Sequence, residues 1–150
     1  MKIILEINNQ TGCNLDEKKL KLAIEETIGR SGKLKNLSFN KSIVISLGFV
    51  SSKEIQKMNK KYRSKDSSTD VLSFASYDKE KNILKEESNE IFLGDLVICC
   101  EDIERYIKRE GILFGEEIIR VVSHGTLHLL GFSHGNKMFD IQEAIVKNNK

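Results

Sequence analysis

All three histidines of the chain, His124, His128 and His134, lie in one short segment with the spacing H-x-x-x-H-x-x-G-x-x-H. The first pair is separated by one helical turn, so on a helix both imidazole rings project from the same face. Gly131 follows, and glycine tolerates the left-handed backbone that ends a helix and turns the chain back. That turn would bring His134 to the same point. Three converging imidazoles predict a metal site with an open coordination position, the catalytic rather than the structural arrangement for zinc.

The expected metal is zinc, with one Zn²⁺ per chain, because zinc is the common hydrolytic metal among those that imidazole binds. Three protein ligands leave a fourth position for water, and the metal lowers the pKa of that water toward about 7. The expected chemistry is therefore hydrolysis, or activation of a carbonyl or phosphoryl oxygen. The alternative, that these are ordinary core or surface histidines, is weakened by their joint ligand spacing.

The same spacing matches the extended zincin metalloprotease motif H-E-x-x-H-x-x-G-x-x-H, apart from one residue. Gly125 stands where that motif has its general-base glutamate. Without this carboxylate, a peptidase has no obvious group to take the proton of the attacking water. A metallopeptidase is therefore the weaker hypothesis, because a substrate that carries its own charge, such as a phosphodiester, depends less on the glutamate.

The elements that must position the histidines follow from the periodicity of apolar residues and from the turn and capping residues. Residues 62–69 and 77–90 are expected to be polar loops. The order βαβαββααα predicts an α+β fold, a small mixed four-stranded sheet packed with about five helices, with a zincin-like metal helix. We predict strands over residues 2–8, 42–49, 70–75 and 91–98, the last two as a hairpin, and helices over residues 15–29, 51–61, 101–110, 115–130 and 138–147.

The composition is that of an ordinary globular protein, with 150 residues, 39% hydrophobic and 31% charged. We expect a single domain over residues 1–150. No apolar run approaches the roughly 20 residues that span a bilayer, and the N-terminus lacks the apolar region of a signal peptide. These features predict a cytoplasmic protein without a membrane partner. The net charge of +2 neither favours nor excludes a nucleic acid ligand.

The cysteines, Cys13, Cys99 and Cys100, form no C-x-x-C pair. Cys99 and Cys100 are adjacent and would point to opposite sides of an extended strand. We expect all of them to be buried, reduced thiols rather than metal ligands or redox groups.

Four linked segments resemble the YbeY family of bacterial rRNA maturation factors. The segment from His124 to His134 resembles the family signature H-G-x-L-H-L-x-G-x-D-H. The resemblance covers about residues 55–145, and such linked motifs are more specific than any one alone. The further segments are Tyr62-Arg63 with Thr69-Asp70-Val71-Leu72-Ser73-Phe74, Leu93-Gly94-Asp95-Leu96, and Met138 with Gln142-Glu143.

The resemblance implies a single-strand-specific, metal-dependent endoribonuclease that acts in maturation of the 3′ end of 16S ribosomal RNA and in ribosome quality control. Its implied partners are single-stranded RNA, ribosomal RNA and the small ribosomal subunit. It also implies that the three histidines hold zinc and that Arg63 is functionally essential. An alternative is a ribosome assembly factor in which the metal only stabilises the fold.

Arg63 is the predicted catalytic residue outside the histidine cluster, because a guanidinium binds phosphate oxygens bidentately and can stabilise charge in a transition state. A solvated surface arginine is the simpler interpretation, and the family resemblance favours the catalytic role. Lys61 and Lys65 flank Arg63 and are predicted to contact an RNA backbone, with solvated charges at a helix end as the alternative. Ser73 is predicted to bind substrate, with a packed core serine as the alternative.

The chain departs from the family pattern next to the third ligand, where Ser133 replaces the usual aspartate. An aspartate there could accept a hydrogen bond from a ligand histidine, whereas serine accepts one without charge. The acidic stretch after the third histidine is also shortened, to Gly135-Asn136-Lys137. We expect these changes to tune the metal affinity and the approach of RNA.

Overall fold

A mixed four-stranded sheet with helices packed on both faces forms the fold, and the computed structural model describes residues 1–78 and 80–150. This architecture confirms the predicted α+β class. No helix in the described ranges is long and apolar enough to cross a membrane. The strands are β1 (Lys2–Asn9), β2 (Ser42–Phe49), β3 (Val71–Ala75) and β4 (Glu90–Ile98), and the helices are α1 (Glu17–Ser31), α2 (Ser52–Arg63), α3 (Glu80–Leu84), α4 (Cys100–Glu110), α5 (Phe114–Leu129) and α6 (Asn136–Asn148).

The strand order β1-β2-β4-β3 places β3 at one edge of the sheet. β1, β2 and β4 are mutually parallel, and β3 runs antiparallel to β4, as the predicted hairpin requires. Ser73 of β3 pairs with Leu96 of β4, and α5 packs across these two strands. The edge of the sheet therefore lies directly beside the helix that carries the first two histidines.

Gly94 allows β3, β4 and α5 to approach closely. Its φ is +150°, next to a register shift in the pairing of β2 with β4. A Cβ at this position would lie 2.3 Å from the carbonyl oxygen of Phe74 and 2.8 Å from a methyl carbon of Leu129. Only glycine fits this position, so the L-G-D segment reflects packing between strand and helix.

Two apolar clusters cover the two faces of the sheet. The larger cluster fills the space between the sheet and α1, α5 and α6. The smaller cluster contains Ile55 of α2, Leu72 of β3, Val97 of β4 and Cys99, which follows β4. Because Ile55 is fully buried there, it fixes α2 against β3 and places the C-terminal end of α2 beside the same edge of the sheet.

The helix α2 continues to Arg63, two residues beyond the predicted end. Residues 62 and 63 therefore belong to a helix rather than to the predicted loop. The helix ends because Ser64 adopts a left-handed conformation with φ 58°, and its N–H bonds to the carbonyl of Asn59. Arg63 is thus fixed on the last turn of a helix that is packed against the sheet.

Two other boundaries differ from the prediction. α1 continues to Ser31 and ends at the left-handed Gly32, not at Gly29, because Ile28 and Ser31 still face the core. The region 77–90, predicted as a loop, contains the short helix α3, which Ile83 anchors with 1% of its surface exposed. This extra helix makes six rather than about five in the described residues. Residue 79 of that region lies outside them.

The expectation that all cysteines are reduced is wrong for two of them. Cys13 and Cys100 form a disulfide between the chain that follows β1 and the first residue of α4, with Cα atoms 6.4 Å apart. Their separation of 87 residues left no local spacing to indicate the pair. Cys99 is a buried free thiol in the smaller cluster, and burial raises its pKa. Cys100 packs in the larger cluster instead, at the first residue of α4 rather than in an extended strand.

Candidate metal centre

The helix α5 presents His124 and His128 one turn apart on the face that looks away from the core. The Nε2 atoms of these two rings are 3.1 Å apart, and the Nε2 atom of His134 lies 3.3 Å from that of His128. The ligand atoms of the three residues all fall within 4.8 Å of one another. The predicted convergence of three imidazoles is therefore present, and the cluster could hold a metal ion.

A tight turn after α5 brings His134 back to the first two histidines. Gly131 has a φ of +90°, and its N–H donates to the carbonyl of His128. The N–H of Phe132 then donates to the carbonyl of Leu127. These bonds satisfy the free carbonyls at the end of the helix and reverse the chain, as the glycine in the motif predicted.

The outer nitrogens of the first two rings have fixed partners. Nδ1 of His124 lies 2.8 Å from Oε1 of Gln142, and Nδ1 of His128 lies 3.0 Å from the carbonyl oxygen of Phe132. A carbonyl can only accept, so Nδ1 of His128 carries the proton and its Nε2 keeps a lone pair. Burial lowers the pKa of His128. The ring is thus held in the neutral form that binds metals.

The histidines form one side of a cleft of about 640 Å³ that opens along the edge of the sheet. We call their side the histidine wall, defined by His124, His128 and His134. The rest of the lining comes from the end of α2, the loop after it and β3. We call it the arginine wall, and it is defined by Arg63, Lys65, Asp70 and Ser73.

Arg63 reaches across the end of β3 into this cleft. Its Nη2 donates to the carbonyl oxygen of Ser73 at 2.7 Å, and its guanidinium carbon lies 5.0 Å from the centre of the Phe74 ring. The ring of Tyr62 packs edge-on against Phe74 at 5.3 Å. Arg63 is nevertheless exposed, so its remaining N–H groups face the solvent of the cleft.

The structure distributes the other predicted substrate-binding residues unevenly. Ser73 lines the cleft, and its hydroxyl donates to the carbonyl of Gly125 in a long bond of 3.5 Å. Lys65 also lines the cleft. Lys61 lies outside the cleft lining, with its ammonium 5.1 Å from the centre of the Tyr62 ring.

The prediction from sequence did not place Asp70 and Gln142 in the site. Asp70 lines the cleft, and burial raises the pKa of its carboxyl group. Gln142 is buried behind His124, on α6. Both residues belong to segments that resemble family motifs, yet neither spacing nor residue type indicated that they would lie next to the histidines.

Gly125 faces the sheet rather than open space. A Cβ added there would lie 2.8 Å from one methyl carbon of Leu96 and 3.4 Å from the hydroxyl of Ser73. A side chain at this position would require the Leu96 side chain to move. Gly125 is a packing residue that lets α5 approach the sheet closely, and the chain has no carboxylate at the position of the zincin general base.

Ser133, which replaces the usual family aspartate, is exposed. In the part of the chain that the structure describes, its hydroxyl bonds to none of the ligand histidines. The acceptors on the first two rings are a glutamine side chain and a main-chain carbonyl instead. Holding these two rings therefore does not require a carboxylate at position 133.

Comparison with known proteins gives one consistent family. A family model described as Endoribonuclease YbeY matches residues 6–150. The Endoribonuclease YbeY of Finegoldia magna is 37% identical over 149 residues, which cover 99% of this chain and 89% of the relative. That of Thermodesulfovibrio yellowstonii is 30% identical over 164 residues, covering 100% and 99%. The solution structure of TM1509 from Thermotoga maritima shares the fold, with a TM-score of 0.59 and 23% identity over 98% of this chain and 88% of that one.

Proposed function

This chain belongs to the family of the endoribonuclease YbeY, and we propose that it is a zinc-dependent endoribonuclease that cleaves single-stranded RNA. One observation carries the proposal: three imidazole nitrogens converge on a cleft whose lining also includes an arginine. Cleavage of a phosphodiester needs a group that activates the attacking oxygen and a cation that stabilises the charge on the phosphate.

The donor set of the histidine wall fits zinc. Three imidazoles beside the cleft would leave one coordination position of a tetrahedral ion for water or substrate. When bound there, zinc would polarise a phosphoryl oxygen and lower the pKa of a coordinated water. His124 and His128 would hold the ion from α5, and His134 would close the site from the turn.

Arg63 would bind the phosphate from the arginine wall of the same cleft. A guanidinium has five N–H donors, and the carbonyls of Ser73 and Tyr62 accept from only two of its nitrogens. The guanidinium carbon lies 5.0 Å from the centre of the Phe74 ring, so a cation–π contact helps to hold it beside β3. The remaining donors can then bind two phosphate oxygens together, which a lysine ammonium could not do with the same geometry.

Aromatic and basic residues beside Arg63 support a single-stranded substrate. Tyr62 is 51% exposed and lies against the half-buried ring of Phe74. Unpaired bases stack on such rings, whereas the bases of a duplex are already stacked on each other. Lys65 in the cleft and Lys61 above Tyr62 would attract the backbone on either side of the scissile phosphate.

The family resemblance supports a finer proposal for the biological role. The substrate would be ribosomal RNA of the small subunit, cleaved during maturation of its 3′ end and in ribosome quality control. The protein would then act in the cytoplasm with the small ribosomal subunit as its partner, and residues 1–150 would work as one domain.

The experiment compares wild-type protein stripped of metal with the same preparation after zinc is restored. Both are incubated with an end-labelled single-stranded RNA and with the same strand in a duplex. We expect cleavage only with zinc and mainly of the single strand. Equal cleavage by the stripped protein would contradict a metal-dependent reaction. The product ends identify the nucleophile, because attack by the 2′-hydroxyl leaves a cyclic phosphate and attack by water does not.

The assembly-factor alternative has its own signature. If neither preparation cut any RNA, yet both bound small-subunit particles equally well, the metal would have only a structural role. Cleavage that required zinc would instead support the nuclease.

A further inference from the structure

A chain of polar side chains lies behind the histidine wall, on the side away from the cleft. Nδ1 of His124 contacts Oε1 of Gln142 at 2.8 Å, and Nε2 of Gln142 donates to Oε2 of Glu143 at 3.0 Å. Gln142 has only 8% of its surface exposed, so water does not compete freely for its amide. The two neighbours on α6 therefore form one continuous path from a solvent-side carboxylate to a ligand ring.

The carboxylate determines which way the glutamine amide points. An ionised carboxylate only accepts hydrogen bonds, so the NH₂ group of Gln142 must face Glu143. The amide oxygen must then face His124. Since that oxygen is an acceptor, the proton of the neutral imidazole lies on Nδ1, and Nε2 of His124 keeps its lone pair toward the other two rings.

Arg120 holds the carboxylate in place. Its Nε and Nη2 donate to the two oxygens of Glu143 at 2.9 and 3.0 Å, a bidentate pair. Arg120 also contacts Glu116 and Glu117 on its own helix. The bond from Arg120 lowers the pKa of Glu143. The carboxylate therefore stays ionised and acts as a fixed acceptor.

We propose that Gln142 is a positioning residue for the metal ligand His124, and that Glu143 and Arg120 fix the direction of its amide so that Nε2 of His124 is presented to the metal. The inference rests on the proposed metal site. It does not rest on RNA cleavage. His128 is oriented by a main-chain carbonyl, which a substitution cannot remove. His124 is oriented by the side chain of Gln142, which a substitution can remove.

The first test reads the tautomer of His124 without metal. In ¹⁵N-labelled, metal-stripped wild type at mildly alkaline pH, neutral imidazoles predominate and two-bond couplings identify the protonated nitrogen. We expect the proton on Nδ1 of His124 in the wild type. In Gln142→Leu, which removes the acceptor, we expect the proton to move largely to Nε2. A wild-type proton on Nε2 would overturn the inference, and this result needs no variant to fold.

The second test measures zinc affinity by competition with a chromophoric chelator. We expect Gln142→Leu to bind zinc about 10- to 100-fold more weakly, the usual effect of losing an outer partner of a ligand histidine. Gln56→Leu is the matched control, because Gln56 also donates to a carboxylate, Asp66, at 3.1 Å but contacts no histidine. Unchanged affinity in a folded Gln142→Leu would also overturn the inference.

A rescue separates positioning from general damage to the core. In the double variant Gln142→Glu with Glu143→Gln, the carboxylate at position 142 can still accept from Nδ1 of His124. The amide NH₂ at position 143 can donate to that carboxylate, and the amide oxygen at position 143 can accept from Arg120. We expect zinc affinity within a few-fold of wild type, whereas the single variant Glu143→Gln frees the amide to flip and binds more weakly. Equal weakening in all three variants would show a merely structural role. These tests do not measure RNA cleavage, so they would still decide the role of Gln142 if the nuclease proposal failed.

Discussion

The two walls of the cleft are built in opposite ways. On the histidine wall, His124 and His128 are half-buried on a helix packed over the sheet, and each outer nitrogen has a fixed acceptor. On the arginine wall, Arg63 and Lys65 are exposed. Arg63 is held by a carbonyl and an aromatic ring at the sheet edge.

This difference matches what each wall must do. A metal tolerates only small errors in ligand geometry, so its ligands need rotamers locked by packing and by outer hydrogen bonds. A polymeric substrate must enter and leave, so the residues that bind it must stay accessible to solvent. His134 is intermediate, since it is exposed and its Nδ1 has no acceptor within the described residues. It is therefore the part of the histidine wall that can adapt when a metal binds.

The largest effect is expected from removing a ligand from the histidine wall. His128 is the central one, with both other rings within 3.3 Å of its Nε2. We expect His128→Ala to lower zinc affinity by more than about 100-fold, beyond the loss of any outer partner, and to abolish zinc-dependent cleavage. Equilibrium competition with a chelator and cleavage of labelled RNA measure the two effects. Leu22→Ala, an exposed change on α1, is the control. Undiminished cleavage by His128→Ala would assign the activity elsewhere, or to a contaminant.

A change on the arginine wall should separate catalysis from metal binding. We expect Arg63→Lys to reduce kcat by about 10²- to 10³-fold, as removal of a preorganised charge donor does, with zinc affinity unchanged. Lysine keeps the charge but loses the bidentate geometry and the stacking on Phe74. Single-turnover cleavage at saturating zinc gives the rate. If zinc affinity fell as well, the two walls would not be independent.

Loss of an aromatic ring beside Arg63 should weaken binding more than chemistry. Tyr62→Ala removes an exposed ring, and we expect a loss of about 1–3 kcal/mol for one stacked base, or roughly 5- to 150-fold in Kd. Tyr62→Phe keeps the ring and should bind like wild type. Fluorescence anisotropy with a labelled single strand measures Kd. If Tyr62→Ala bound RNA as tightly as wild type, the strand would not pass over this ring.

Local features of the fold could be predicted because they depend on local patterns. The strands are indicated by the types of neighbouring residues, and the turn glycine lies within three residues of the helix that it ends. The convergence of the histidines follows from the same short range, which is why the metal centre was visible in the sequence. The N-cap of α2 is equally local, because the hydroxyl of Ser51 accepts from the N–H of Glu54, three residues along the chain.

Features that depend on how distant elements cross could not be predicted. The contact between His124 and Gln142 joins residues 18 apart on two different helices, and it exists only because α5 packs on α6 in one register. The Cys13–Cys100 pair depends in the same way on where the chain after β1 meets α4. The sequence showed that Gly125 replaces the glutamate of the zincin motif. Its close approach to Leu96 could not be predicted, because that depends on where β4 lies against α5.

The smallest expected effect is a difference in salt dependence between two lysines, one inside the cleft and one outside it. Lys65 lines the cleft and Lys61 does not, although both flank the same helix end. Each phosphate contact on a single strand contributes about 0.7 to the slope of log Kd against log salt. We therefore expect Lys65→Ala to reduce that slope by about 0.7 and Lys61→Ala to reduce it less. Anisotropy titrations at several salt concentrations give both slopes. A larger change for Lys61→Ala would mean that the phosphates beside Tyr62 contribute more to binding than the phosphate beside Lys65, so the main basic contact would lie outside the cleft.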